Sequence, residues 1–129
     1  ALALDERAGP EDSGAVSAVR AGHLRRAERV IRQNLSNPAL SPEFVAGQCG
    51  ISKRYLHELF GGTDKTVAQF IREERLIVAR NEIAASQGLS MAEIAYRFGF
   101  SDQAQFSRLF KAQFGMTPSD WRRRARNAG

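Results

Sequence analysis

A duplication constrains this chain more than any other feature. Ala46, Gly50 and Ser52 recur 49 residues later as Ala95, Gly99 and Ser101. Leu56, Leu59 and Phe60 recur as Phe106, Leu109 and Phe110 at an offset of 50. Thr66, Phe70 and Arg72 recur as Thr117, Trp121 and Arg123 at an offset of 51. Two copies at so long a period describe a duplicated supersecondary unit, not a solenoid.

Helix signals give the unit its content. Leu24, Ala27, Val30, Ile31 and Leu35 lie on one stripe of a first helix near Arg20–Leu35, which stops before Asn37-Pro38. Ser41-Pro42 pairs an N-cap with proline at the first helical position, and the helix it opens runs to about Cys49. Ser52 caps a third helix ending at Gly61-Gly62. Thr66 with Gln69, and Ser90 with Glu93, are capping boxes. The first opens a long helix to about Ser86, the second a short helix ending before Gly99. Ser101, with Asp102 in the first turn, opens a helix that Gly115 stops, and Thr117-Pro118 starts a last basic helix.

The unit is therefore a helix-turn-helix. Ala46 and Ala95 are small where the second helix crosses the first, and Gly50 and Gly99 allow the positive φ of a sharp turn. Ile51 and Phe100 plug the corner, and the three large apolar residues of each second helix anchor it. The predicted fold is all-α, with about seven helices and two helix-turn-helix units (about 41–62 and 90–115) joined by a long linker helix. At ~1.5 Å per residue, residues 66–86 span ~30 Å, close to the ~34 Å of one B-DNA turn.

Charge narrows the partner. Residues 1–19 hold Asp5, Glu6, Glu11 and Asp12 against Arg7 alone and read as an acidic flexible tail or interdomain linker. Residues 20–129 carry 18 basic against 10 acidic residues, a net +8, as a polyanion-binding body would. Helical geometry turns Lys53, Arg54, His57, Glu58 and Gly61 outward in the first unit. In the second it turns out Gln103, Ala104, Gln105, Ser107, Arg108 and Lys111. Arg and Lys suit guanine edges or phosphate, Gln suits adenine, and Ala and Ser meet thymine methyls. Double-stranded DNA is the expected partner, across residues 20–129 as one DNA-binding domain. Two different readers in one chain predict an asymmetric, bipartite site.

Other classes find little support. The chain has one cysteine and two histidines with no metal-ligand spacing, so neither catalysis nor a metal or other cofactor is expected. No apolar stretch approaches the ~20 residues of a membrane helix. The start carries no basic-apolar signal peptide and no initiator Met, which fits a cytoplasmic protein or a piece of a longer one. A helical protein-interaction module is the alternative, with Glu73, Glu74 and Glu82 as its surface. Cys49 reads as a small apolar group, His23 as an ordinary helix residue and Trp121 as core. The arginines of the first helix, and Arg122–Arg124 with Arg126, fit phosphate contacts and a solvated charge run equally well.

Three segments then carry a family resemblance: Ile94 to Pro118 (IAYRFGFSDQAQFSRLFKAQFGMTP), Arg75–Arg80 (RLIVAR) and Ile51–Phe60 (ISKRYLHELF). From about His23 to Arg124 the chain resembles the DNA-binding domain of the AraC/XylS family of bacterial transcription regulators. The resemblance implies seven helices, major-groove binding by both recognition helices, transcription control and contact with RNA polymerase. It implies base reading by Arg54, His57 and Glu58, and by Gln103, Ala104, Gln105 and Arg108. Many members carry an N-terminal effector-binding domain, a further expected partner.

Overall fold

The computed structural model describes residues 10–86 and 88–128. Among them are seven α-helices and no strand: α1 (Pro10–Gln33), α2 (Pro42–Cys49), α3 (Lys53–Gly61), α4 (Val67–Ala85), α5 (Met91–Arg97), α6 (Gln103–Phe114) and α7 (Pro118–Ala128). The helix starts follow the caps. Ser41 and Ser52 accept from the backbone N–H of Phe44 and Tyr55, and both predicted capping boxes close reciprocally. Among the described residues, positive φ occurs at Gly50, Gly99 and Gly115, at 68°, 88° and 81°.

Two boundaries differ from expectation. The cap of α6 is Asp102, not Ser101; its carboxylate accepts from the Gln105 N–H at 2.7 Å. The second turn is thus one residue longer between glycine and cap than the first, which accounts for the change of offset from 49 to 50. Either residue type caps well, so composition could not separate neighbours; the register of Phe106 and Phe110 could. The other difference lies in the expected tail. Helix α1 reaches back to Pro10, so residues 10–19 are helical, while 1–9 lie outside the described residues. Pro10 suits a first helical position, and Ala15, Ala18 and Ala21 are strong helix formers. The side chains from Ala15 to Val19 stay exposed.

Two cores form, and α4 belongs to both. Ala27 and Ile31 of α1, Val45 of α2 and Leu56 and Phe60 of α3 pack with Val67, Phe70 and Ile71 at the start of α4. Leu76, Ala79 and Ile83, further along α4, pack with Ile94 of α5 and Phe106 and Phe110 of α6. Val78 touches both clusters. At 19 residues α4 is ~28 Å long, and apolar burial at both ends ties it to each unit.

Smaller expectations resolve similarly. Trp121 packs against the second core, and its indole N–H donates to the Arg80 carbonyl at 3.1 Å. Cys49 is half-buried against the first core, where desolvation raises its thiol pKa. His23 is more than an ordinary helix residue. A 2.9 Å hydrogen bond joins its Nδ1 to the Tyr55 hydroxyl, tying α1 to α3.

Candidate nucleic-acid interface

Burial of the anchors decides which side chains α3 and α6 present. With Leu56, Leu59 and Phe60 buried, Lys53, Arg54, His57 and Glu58 of α3 are exposed. With Phe106 and Phe110 fully buried, Gln103, Ala104, Gln105, Arg108 and Lys111 of α6 are exposed and Ser107 is half-buried. Every residue of the expected reading faces thus lies on the outer side of its helix, Ser107 at its margin.

The two faces differ in charge. On α3, Arg54 Nε lies 3.6 Å from Glu58 Oε2 one turn along, and Lys53 Nζ donates to Glu43 Oε2 at 2.7 Å. The Lys53 ammonium holds the Glu43 carboxyl below its ordinary pKa. Arg54 is 90% exposed, so its pair is a weak one, worth about 0.2–0.5 kcal/mol. On α6, no described carboxylate lies within 4 Å of Arg108 or Lys111. The second face is therefore uncompensated positive charge beside two glutamines, and the first is a neutralised face with a histidine.

The acidic residues of α4 are engaged elsewhere. Glu73 meets Lys65 at 2.7 Å, Glu74 meets Arg32 at 3.0 Å and Glu82 meets Arg97 at 3.6 Å. The arginines left open also divide. Arg26 donates to the Gln48 carbonyl, Arg32 lies over Phe70 and Arg20 over Tyr55. Arg122 donates to the Ser86 carbonyl at the end of α4, and Arg123 pairs with Asp120. Arg25, Arg29, Arg124 and Arg126 are exposed.

Sequence reasoning passed over Arg75, which it placed only in the linker segment. Its Nε donates to the Leu35 carbonyl at 3.1 Å and its Nη2 to the Asn37 carbonyl at 3.2 Å. A signal was present: Arg75 lies four residues from Ile71 and four from Ala79, both buried, so it occupies a core-facing register. Among the described residues no group of His, Cys, Asp or Glu could hold a metal, and no helix is long and apolar enough to cross a membrane.

Two capped helix-turn-helix units sharing one linker helix define a tandem helix-turn-helix DNA-binding domain. A family model described as a helix-turn-helix domain matches residues 45–124. The transcriptional activator NphR of Rhodococcus sp is 35% identical over 100 residues, covering 78% of this chain but 30% of that protein. The regulatory protein SoxS of Escherichia coli strain K12 is 37% identical over 95 residues, covering 73% of this chain and 87% of that protein. The crystal structure of an AraC-type transcriptional regulator from Chromobacterium violaceum superposes with a TM-score of 0.77 at 27% identity, over 87% of this chain and 99% of that one. The chain belongs to the AraC/XylS family of transcription regulators, and its two units form that family's DNA-binding domain.

Proposed function

We propose that α3 and α6 are recognition helices entering successive major grooves of one asymmetric, bipartite duplex site. The observation that carries this reading is the exposed face of α6, where Gln103, Gln105, Arg108 and Lys111 stand over two fully buried phenylalanines with no carboxylate partner among the described residues. Arg108 supplies a planar fork for a guanine edge, the glutamines suit adenine, and Ala104 and Ser107 lie where a thymine methyl packs. Lys111, further along, suits phosphate. On α3, Arg54 and His57 reach base edges or phosphate, with Glu58 accepting from cytosine or holding Arg54, and Lys53 serving the backbone. Because Arg54 and Lys53 are already paired, the first unit reads sequence weakly and acts mainly as an anchor. The ~28 Å linker supports a separation near one helical turn. The domain comprises residues 20–129, since Ala15–Val19 contribute no buried side chain.

Transcription control in the cytoplasm, contact with RNA polymerase and linkage to an N-terminal effector-binding domain complete the proposal. They rest on the family and on the greater length of NphR, a transcriptional activator. A role as a protein-interaction scaffold is less well supported, because Glu73, Glu74 and Glu82 are each paired within the chain.

A base-by-base specificity profile tests the assignment. Arg108→Ala is expected to cost ~1–3 kcal/mol on the preferred duplex and to relax selectivity at one position. Arg54→Ala is expected to cost less and to change selectivity little. Equal, sequence-independent losses in both variants would mean that neither arginine reads a base.

A further inference from the structure

We infer that Arg75 is the positioning residue that sets the angle between the two helix-turn-helix units, and with it the half-site spacing the chain accepts. The inference rests on the bipartite reading above. Among the described residues, the closely packed helix pairs lie within α1–α3, lie within α5–α7 or involve α4. Clefts flank α4 between the units, one of about 800 Å³ lined by Asn37, Tyr96 and Phe100, the other of about 320 Å³ lined by Leu40, Phe98 and Leu109. Arg75 lines both.

Two of its guanidinium nitrogens are hydrogen-bonded, and the third faces the other way. Nε and Nη2 hold the carbonyls of Leu35 and Asn37, in the loop that leads from α1 into the first unit. Nη1 lies against the turn of the second unit, where a Cβ on Gly99 would approach it to 2.7 Å. One rigid fork rooted in the shared helix thus binds the loop leading into one unit and lies beside the turn of the other. Partial burial lowers its pKa from the ordinary arginine value. A lysine cannot replace it, because a point charge on a flexible stem lacks the planar set of donors. If Arg75 lets go, α4 stays helical but each unit can tilt on its own end of it.

The test uses the full chain and a selected duplex, compared with duplexes carrying one base pair more or fewer between the half-sites, and with each half-site alone. Wild type should lose about tenfold per spacing error, the scale of one mismatched base pair. Arg75→Ala should bind each half-site as wild type does, yet bind all three spacings equally within about twofold, the usual limit of such comparisons. Arg75→Lys keeps the buried stem and the charge, carries the test if the alanine variant does not fold, and should show the same loss of spacing preference. Retention of the wild-type preference in whichever variant folds overturns the inference. A wild-type chain that is itself indifferent to spacing overturns the bipartite reading, and the inference with it.

Discussion

Gly99→Val is expected to lower the melting temperature by roughly 4–15 °C, corresponding to ~1–3 kcal/mol of backbone strain in a chain this size. Gly99 sits at φ 88°, where a β-branched residue is a genuine outlier. It has a second reason to be glycine, because a Cβ there would meet the Arg75 guanidinium at 2.7 Å. Gly50 separates the two causes. It is the turn residue of the first unit, at φ 68°, with nothing within 4 Å of its would-be Cβ. Gly50→Val should therefore show the conformational strain alone, and Gly99→Val that strain plus displacement of Arg75. Thermal melts of the two variants compare them directly. Equal losses would mean that Arg75 yields freely; no loss at Gly99 would contradict its role as the turn residue.

The affinity for a specific duplex is expected to fall by ~10³–10⁵ between 50 and 200 mM salt, the response of six to ten neutralised phosphates. The net +8 of residues 20–129 supplies the charge. Exposed Arg25, Arg29, Arg124 and Arg126 add cationic side chains outside the recognition helices. A fluorescence anisotropy titration across that range measures the slope. A flat response would remove the phosphate backbone from the account.

Much of the architecture was legible because its determinants are local. A cap acts within one turn, so Ser41, Ser52, Thr66 and Ser90 could be read from three or four residues each, and Gly50 and Gly99 from the duplication. The α6 cap escaped because serine and aspartate stand side by side at positions 101 and 102, and both serve. The start of α1 escaped because acidic, glycine-containing composition resembles a linker, while the Pro10 start and the spaced alanines favour a helix. The outward faces of α3 and α6 followed from helical periodicity once the anchors were identified.

What the sequence did not reveal depends on contacts between distant segments. The His23–Tyr55 hydrogen bond spans 32 residues, and Arg75 reaches 40 residues back to Leu35. The spacing of Arg75 from Ile71 and Ala79 matches a buried stripe, but only the fold shows the loop carbonyls that make an arginine tolerable there. The same holds for Lys53 and Glu43, whose pairing depends on how α3 leaves the first turn.

Selection of bound sequences from random duplex DNA shows whether α3 and α6 read two different half-sites. One strongly enriched block is expected, with a weaker block of different sequence centred ~10–10.5 base pairs from it, and the strong block should lose definition at one position in Arg108→Ala. A palindrome, two blocks of equal strength, a strong block unchanged in Arg108→Ala, or no enrichment over the starting pool would contradict that expectation.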